Sequence, residues 1–521
     1  MADTMRGVYT NLTDIRRAVF REVAHIIYES ADEPSKTDED FDKEFELLPY
    51  KIIPGDYATY RESVFLERAI VGERMRLAMG LPLQDVDRPT RLSDGMREAE
   101  RADESYYNTD LIHVINYACN ACKDNVYEVT NSCQGCLAHP CREICPKQAI
   151  SFRQKRAYID QDLCIKCGQC ERVCPYHAIH HHVRPCADAC GMHAIGSDEH
   201  GRAVIDHERC VSCGMCLINC PFGAIADKSQ IAQVIWAILG GEEVYAIVAP
   251  AFAGQFGKRD DGRKVRAAFK QLGFAGVEEV ATGADLCTVQ EAKDFVEEVP
   301  DKLPFMGTSC CPSWSSMAKM EFPDYSECIS MALTPMVFTA RLVKRHHRKA
   351  KIVFVGPCMA KKGEAHRASV RSMVDYVLTF EEVAAMFDAK GIDFDKVDVS
   401  DEKPFTRSSA DGRGFAVSGG VAQAVVNNIK SHDPDREVKT VAAEGLDNCR
   451  QMLKDATKGK YDGYLLEGMA CPGGCVAGAG TLLPINRAAA AVRQYKKAAD
   501  LSGSEESDTM GELDELVDSR E

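Results

Sequence analysis

Thr308-Ser309-Cys310-Cys311-Pro312-Ser313-Trp314 is the segment that decides the fold of the second half of this chain. Two later loops complete the pattern: Gly356-Pro357-Cys358-Met359-Ala360-Lys361, which is followed by Glu364, and Glu467-Gly468-Met469-Ala470-Cys471-Pro472-Gly473-Gly474-Cys475. Each loop follows an apolar run, so the thiols can meet only in the folded domain. Thiolates at this density favour iron–sulfur or zinc binding. Zinc sites more often show two compact Cys-x2-Cys pairs, which these loops lack.

The bulk composition is that of a globular protein with several domains. The chain has 521 residues, of which 45% are hydrophobic and 27% are charged. A net charge of −16 argues against a nucleic-acid partner or an anionic membrane surface. The first residues lack the apolar core of a signal peptide, and no apolar run reaches the length of a membrane span. We therefore expect the 24 cysteines to be reduced and the protein to be cytoplasmic.

Both ends of the chain lack cysteine. We predict a helical region over residues 1–112, because Leu12–Tyr28 and Tyr60–Met79 show apolar residues at helical spacing. Packing against the rest of the protein is the plainer role for these helices, and docking of a partner is the alternative. At the other end we predict a helix and an acidic tail over residues 486–521. Eight acidic residues between Glu505 and Glu521 indicate a solvated segment.

Sixteen cysteines lie between Cys119 and Cys220, within a region that we place at residues 113–228. The cysteine run of bacterial ferredoxins is found at Cys164-x2-Cys167-x2-Cys170-x3-Cys174-Pro175. The run before it, Cys133-x2-Cys136-x4-Cys141-x3-Cys145-Pro146, has the same pattern with two extra residues before its third cysteine. In two-cluster ferredoxins the fourth cysteine of each run binds the other cluster. This crossing predicts two 4Fe-4S clusters, held by a first set (Cys133, Cys136, Cys141 and Cys174) and a second set (Cys145, Cys164, Cys167 and Cys170).

A partial copy of this unit follows. Cys186-x3-Cys190 keeps only the end of a run, whereas Cys210-x2-Cys213-x2-Cys216-x3-Cys220-Pro221 is complete. The same crossing predicts a third set (Cys190, Cys210, Cys213 and Cys216). Cys186 and Cys220 then remain without a cluster, and a 4Fe-4S cluster needs two further thiolates. Cys119 and Cys122 can supply them, so we predict a fourth set (Cys119, Cys122, Cys186 and Cys220). Separate zinc sites are the alternative for Cys119 and Cys122. His180-His181-His182 is interpreted as a solvated turn rather than as a group of metal ligands.

After Asp227 helical patterns alternate with short apolar strands, which we predict at Val244–Ala249, Lys302–Met306, Lys351–Val355 and Tyr461–Leu466. This alternation is typical of an α/β domain with parallel sheets, here over residues 229–485. Ligand loops in such folds lie beyond the carboxyl ends of the strands, where all three cysteine loops fall. The predicted fold is therefore an α/β domain preceded by a duplicated, ferredoxin-like α+β region and an N-terminal helical segment.

The three loops together resemble those of the FeFe-hydrogenases, and the resemblance extends from about Val244 to Pro484. Phe415-Ala416-Val417-Ser418-Gly419-Gly420-Val421 is also similar to a segment of that family. The resemblance implies an H-cluster, in which a 4Fe-4S cubane is joined to a two-iron subsite that carries CO, cyanide and an azadithiolate. The implied cubane ligands are Cys311, Cys358, Cys471 and Cys475, of which Cys475 would bridge to the two irons.

The resemblance also implies roles for the neighbouring residues. Lys361 would donate a hydrogen bond to a cyanide, and Met469 would pack near the two irons. Cys310 would pass protons to the bridging amine. Glu291, Asp294 and Ser330 stand where the proton relay of the family falls. Cys287, Cys328 and Cys449 are predicted to be buried structural thiols.

The implied reaction is reversible hydrogen oxidation and proton reduction, with the four clusters carrying electrons to a soluble carrier. Ferredoxin is the expected carrier because the sequence has no dinucleotide-binding fingerprint, although an acidic chain does not complement an acidic ferredoxin. Hydrogenase maturation proteins would be further partners. The alternatives are a hydrogen sensor, a plain electron carrier, and a non-enzymatic iron–sulfur scaffold of the same fold. Scaffolds of this kind lose the first cysteine of the pair, which is Cys310 here.

Several positions depart from the common family pattern. Gly356 replaces a methionine before Pro357-Cys358, and Ala479 interrupts a run of glycines. Ala251 and Met336 stand where a serine and a glutamine are common. Fewer polar groups would then surround the implied cofactor, and such a change can alter redox potential and solvent access. We therefore expect a divergent subgroup of the family.

Overall fold

The computed structural model describes residues 7–32, 35, 37–85, 87–88, 90–100, 110–258, 260–370 and 372–518. The parts of the predicted terminal segments at residues 1–6, 101–109 and 519–521 lie outside the described residues. The rest of the N-terminal region is helical, as its apolar spacing predicts: α1 (Asn11–Asp32), α2 (Asp38–Ile52), α3 (Val64–Ala78) and α4 (Met96–Glu100). Helix α1 packs against α3 and against a helix of the last domain, Phe380–Lys390. This region therefore packs against the rest of the protein.

The ferredoxin-like region consists of four short antiparallel strand pairs. They are β1 (Ile112–Val114) with β8 (Ile225–Asp227), β2 (Val126–Val129) with β5 (Ile179–His182), β3 (Ile150–Arg153) with β4 (Arg156–Ile159), and β6 (Ile195–Ser197) with β7 (Ala203–Ile205). Four one-turn helices, each containing a cysteine, lie between them: α5 (Pro140–Glu143), α6 (Gln169–Arg172), α7 (Pro185–Asp188) and α8 (Met215–Asn219). The α+β character and the internal duplication are both as predicted.

The structure contradicts the solvated turn that the sequence analysis predicts for the three consecutive histidines. His180, His181 and His182 belong to strand β5 and not to a solvated turn. They are held there by pairing with β2, where the ring of His181 stacks on that of Tyr127 at a centroid distance of 4.3 Å. The short polar run offered no apolar alternation from which a strand could be predicted.

Two parallel sheets form the core of the last domain. The first has the strand order β10 (Gly276–Glu279), β9 (Val244–Val248), β12 (Lys351–Gly356) and β13 (Tyr376–Thr379). The second has the order β11 (Met306–Gly307), β15 (Tyr464–Met469) and β14 (Lys439–Glu444). All pairings in both sheets are parallel, which confirms the predicted α/β class.

Helices cover these sheets: α9 (Ile231–Leu239), α10 (Arg263–Leu272), α11 (Val280–Glu298), α12 (Pro312–Glu321), α13 (Pro335–His346), α14 (Ala360–Ala365), α15 (Phe380–Lys390), α16 (Ala410–Gly414), α17 (Gly420–His432), α18 (Leu446–Ala456) and α19 (Ile485–Lys497). The strand predicted at residues 302–306 is reduced to Met306–Gly307. Strand β14 was missed because its apolar run, Val441-Ala442-Ala443, is only three residues long; all its residues are exposed or half-buried.

The predicted solvated tail is wrong over its described part. Short helical turns at Ser504–Glu506 and Asp508–Glu512 lead into α20 (Leu513–Asp518), which packs against α13. Leu516 is buried, and Arg345 forms ion pairs with Glu512 and Glu515. A few apolar residues and basic partners on α13 therefore order a segment whose charge suggested solvation.

Among the helices in the described part of the chain, none is long and apolar enough to cross a membrane.

Candidate metal centre

A cavity of about 90 Å³ lies beyond the carboxyl ends of strands from both parallel sheets. Its wall contains every cysteine of the three loops: Cys310, Cys311, Cys358, Cys471 and Cys475. The first two follow β11, the third follows β12, and the last two follow β15. The structure therefore brings the four implied cubane ligands and the implied proton-transfer thiol to one place.

Trp314 fixes the first cysteine loop. Its ring is fully buried, and its Nε1–H donates to the carbonyl of Thr308 at 2.9 Å. Gly468, in strand β15, lies directly against this ring, because a Cβ at that position would come within 2.1 Å of Trp314. The glycine of the third loop thus lets the first loop approach closely.

The remainder of the cavity wall is largely apolar. It includes Met469 and also Ala251 and Met336, the two positions that depart from the common polar pattern. Lys361 is the cationic residue in this wall. The predicted loss of polar groups is thus located at the cavity itself.

Two further residues hold Lys361 in position. Its Nζ donates to Glu364 Oε2 at 2.6 Å, and Glu364 Oε1 accepts a hydrogen bond of 2.5 Å from the hydroxyl of Thr334. Burial alone would lower the pKa of Lys361, but Glu364 outweighs it, and the pKa is raised above its ordinary value. The cavity therefore faces a permanent ammonium group, and Glu364 acts as its structural partner.

The predicted relay residues lie behind Cys310. Glu291, on α11, accepts the backbone N–H of Ser309 at 3.1 Å, which places its carboxyl beside Cys310. Burial raises the pKa of Glu291 to about 7 against the opposing effect of Ser309 and Ser330. Burial, followed by the charge of Glu291, raises the pKa of the Cys310 thiol well above its usual value. Asp294 is half-buried one turn further along and accepts from Gln290 at 2.7 Å.

Three smaller cavities of about 20 Å³ each lie in the ferredoxin-like region, and their cysteines are those of the first, second and fourth sets. Cys190, Cys210 and Cys213 of the third set pack against one hydrophobic cluster, and Cys210 also packs against the cluster that contains Cys216. Burial raises the pKa of the Cys216 thiol well above its usual value, and the three other thiols of the set raise it further. All four predicted sets are therefore assembled in the structure.

Backbone donors to the cysteine sulfurs were not anticipated from the sequence. In each of the four runs, the N–H of the alanine four residues after the last cysteine points to that sulfur, at 3.3 to 3.4 Å: Ala149, Ala178, Ala194 and Ala224. Such hydrogen bonds stabilise thiolate charge and tune cluster potentials. The repeated alanine was the available signal.

Arg184 is a second residue that sequence reasoning missed. It is buried beside the fourth set and donates to the carbonyls of Cys122, Gly196 and Gly201. It thereby ties the Cys119-x2-Cys122 segment to the partial ferredoxin copy. A single arginine before a proline gave no signal of this role.

The third set adjoins the main cavity. A Cβ on Gly214, between Cys213 and Cys216, would lie 2.7 Å from Ala479 and 3.0 Å from Met359. Met359 belongs to the second cysteine loop, and Ala479 follows the third. Burial raises the pKa of Cys213 to about 12, and Cys471 contributes to this shift. The ferredoxin-like region therefore meets the last domain through its third set.

Cys119 and Cys122, for which separate zinc sites are the alternative, line one cavity together with Cys186 and Cys220. Within the ranges that the structure describes, no group of three or more His, Cys, Asp or Glu side chains could hold a single metal ion. The thiols instead surround cavities, which suits polynuclear clusters. The remaining cysteines Cys287, Cys328 and Cys449 are buried, as predicted.

Comparison with known families agrees with this geometry. Residues 242–479 match the model of the iron only hydrogenase large subunit, C-terminal domain. Residues 157–180 match a 4Fe-4S binding domain, and residues 183–224 match a 4Fe-4S dicluster domain. Residues 242–479 form an FeFe-hydrogenase-like domain. The resemblance inferred from the three loops is thereby confirmed.

Curated relatives of this hydrogenase-like chain include both enzymes and an assembly factor. It is 28% identical over 64% of its length to iron hydrogenase 1 of Clostridium pasteurianum, and 29% identical over 49% to the NADP-reducing hydrogenase subunit HndD of Solidesulfovibrio fructosivorans. It is 24% identical over 43% to the cytosolic Fe-S cluster assembly factor narfl of Xenopus tropicalis. The matches span 66%, 53% and 58% of these relatives. A solved FeFe-hydrogenase aligns with 55% of the chain and 94% of its own length, at 19% identity and a TM-score of 0.47.

The donor set of the main cavity fits the cofactor that the family implies. Four soft thiols suit iron, and a buried ammonium suits an anionic group next to them. Burial raises the pKa of the Cys358 thiol well above its usual value. Loss of its proton therefore requires a positive charge such as that of iron. Cys311, Cys358, Cys471 and Cys475 would hold the cubane of this hydrogenase-like protein.

Proposed function

We propose that this protein catalyses reversible hydrogen oxidation and proton reduction at an H-cluster in the main cavity. The observation that carries the proposal is the joint presence of four ligand thiols, the additional thiol of Cys310 and the buried ammonium of Lys361 around one cavity. The two-iron subsite, with its CO, cyanide and azadithiolate ligands, would supply the hydrogen chemistry when it is bound. A plain electron carrier needs none of these three loops.

The side chains around the cavity have distinct roles in this proposal. Lys361, held by Glu364, supplies a fixed positive charge to an anionic ligand. Cys310 and Glu291 hold and move the protons, and a carboxyl with a pKa of about 7 is suited to exchange protons near neutral pH. Ser330 and Asp294 would continue the route towards the surface. The apolar wall excludes water from the thiols.

The four cysteine sets would hold four 4Fe-4S clusters that carry electrons to and from the cavity. The third set adjoins the main cavity, so it would exchange electrons directly with the cubane there. Ferredoxin is the proposed carrier. Maturation proteins would install the two-iron subsite, and the need to keep 24 thiols reduced favours the cytoplasm.

An iron–sulfur assembly scaffold is the second candidate, and its support is the similarity to the narfl assembly factor. The presence of Cys310 favours the enzyme, since scaffolds of this fold lose that thiol. A hydrogen sensor remains the third candidate, for which the described residues offer no specific observation.

Infrared spectroscopy on anaerobically purified, maturated protein tests the proposal. We expect bands in the CO and cyanide stretching region that shift under hydrogen. The ligand variant Cys471→Ser should lose these bands, whereas the matched variant of a buried non-ligand thiol, Cys449→Ser, should keep them. If the unmodified protein shows no such bands and contains only the iron of cubanes, the enzyme is excluded and the scaffold is favoured.

A further inference from the structure

The four cysteine sets are arranged in an order that leads away from the main cavity. The third set adjoins that cavity, and helices α7 and α8 connect it to the fourth set. Helix α7 contains Cys186 of the fourth set and is followed by Cys190 of the third, whereas α8 contains Cys216 of the third set and is followed by Cys220 of the fourth. Beyond the fourth set runs the β2–β5 ladder, which begins at the pair Val126 and His182 and ends at the pair Val129 and Ile179.

The first set lies at the far end of this ladder. Its cavity is lined by Val129 and Ile179, whereas the cavity of the second set is lined by Tyr127, nearer the start of the ladder. The first set is thus the outermost of the four. Along the path from the main cavity through the third set, the fourth set and the β2–β5 ladder, the first set comes last.

The surface around the first set is basic in an otherwise acidic protein. Residues 131–158 contain five lysines and arginines and one acidic residue, whereas the whole chain has 63 basic and 79 acidic residues. The five basic residues are Arg142, Lys147, Arg153, Lys155 and Arg156, and all are exposed. The single acidic residue, Glu143, is paired with Arg142.

An exposed apolar side chain belongs to the same surface. Leu137, which follows the ligand Cys136, is 97% exposed. The turn that carries Arg153 and Lys155 lies directly against the same loop, because a Cβ on Gly135 would be 2.0 Å from the carbonyl oxygen of Lys155. An exposed apolar residue on a surface rich in positive charge suits a transient docking site for an acidic partner.

We propose that this basic face, defined by Leu137, Arg142, Arg153, Lys155 and Arg156, docks a small acidic electron-carrier protein. The inference rests on the proposed function, because it names the site at which the reaction exchanges electrons. It also resolves the mismatch between an acidic chain and an acidic ferredoxin: the local charge is opposite to the net charge. The carrier gives up one electron per docking event, and two events match the two electrons that two protons require.

The second set is the rival point of entry, because Cys167 is exposed there between exposed apolar residues. Its surroundings are not basic. The segment 159–182 contains two basic residues, Lys166 and Arg172, and three acidic ones, Asp160, Asp162 and Glu171. Charge complementarity therefore favours the first set.

Charge reversal tests the proposal with an acidic bacterial ferredoxin as the probe. The variant Arg153→Glu/Lys155→Glu should raise the KM for ferredoxin at least about tenfold at low salt and weaken its salt dependence, because rim charges govern association. Turnover with methyl viologen should not change. The control Lys454→Glu/Lys497→Glu, which makes the same charge change on exposed residues of the last domain, should leave the KM unaltered.

Binding of oxidised ferredoxin, measured by calorimetry, separates this inference from the proposed function because it requires no hydrogen chemistry. An unmodified protein that binds ferredoxin through this face but has no viologen activity would refute the proposed function alone. An unchanged Kd and KM in Arg153→Glu/Lys155→Glu would overturn the docking site. A loss confined to Lys166→Glu/Arg172→Glu would overturn it as well and assign entry to the second set.

Discussion

Lys362 lies next to the cavity lysine but has a different function, which is to join two domains. Its side chain is 1% exposed, and its Nζ donates to Asp227 Oδ2 at 2.7 Å, to Glu382 Oε1 at 3.0 Å and to the carbonyl of Lys228 at 3.0 Å. Asp227 ends the ferredoxin-like region, whereas Glu382 belongs to α15. One buried ammonium thus neutralises a carboxylate from each side of the boundary.

Replacing Lys362 by methionine keeps the aliphatic length but leaves these two carboxylates uncompensated. Their side chains are 5% and 0% exposed, so water cannot replace the lost partner. Breaking a buried ion pair from one side costs about 3–5 kcal/mol. We therefore expect Lys362→Met to lower the free energy of unfolding by about this amount, which is a large part of the stability of an ordinary domain.

The measurement is anaerobic guanidinium unfolding, followed by circular dichroism and by cluster absorption, with the midpoint shift converted through the common slope. Lys396→Met is the matched control, because Lys396 makes a 2.7 Å ion pair with Asp393 but is 81% exposed; since water solvates both of these charges, the midpoint should shift far less than in Lys362→Met. The triple variant Lys362→Met/Asp227→Asn/Glu382→Gln should recover part of the loss. If Lys362→Met and Lys396→Met lowered the free energy of unfolding by the same small amount, the role of Lys362 in joining the two domains would be refuted.

Cys310→Ala should lower hydrogen turnover at least about 100-fold while the infrared bands remain; unchanged turnover would remove Cys310 from the proton route. Cys220→Ala should lower the iron content by about four atoms per chain, whereas Cys328→Ala should not, and equal iron in both variants would contradict the fourth set. Burial raises the pKa of Asp285 to about 7, so the folded state holds a proton that the unfolded state releases near pH 4. Stability should therefore fall by up to about 4 kcal/mol as the pH rises from about 4 to 7. Asp285→Asn should remove this slope, and an unchanged slope of the unfolding midpoint with pH would contradict it.

The cysteine sets could be predicted because their information is local and chemical. A run such as Cys164 to Cys174 fixes three ligands of one cluster by spacing alone, and the crossing rule supplies the fourth. Counting the cysteines left after the first three sets predicts the fourth set of Cys119, Cys122, Cys186 and Cys220, and the structure places these four around one cavity. No knowledge of the tertiary fold was needed, since a cluster accepts only complete groups of ligands.

The elements that sequence reasoning missed depend instead on contacts from distant segments. Strand β14 has only a short apolar run and no buried residue, and it forms because β15 offers it a parallel partner. The histidine strand β5 is ordered by β2, and α20 is ordered by basic residues of α13. In each case the local sequence favours coil, and a partner far away in the chain outweighs that preference.

The position of Glu364 shows why the site itself was only partly predictable. The resemblance identifies Lys361 as the cation of the cavity, but the lysine is useful only if its ammonium is held at one point. Thr334, thirty residues earlier in the chain, bonds one oxygen of Glu364 while Lys361 bonds the other. Thr334 precedes α13, and Pro335 and Met336 at the start of that helix line the same cavity. The packing of α13 therefore sets both the apolar wall and the place of the charge, so the departures at the wall and the held lysine form one structural unit.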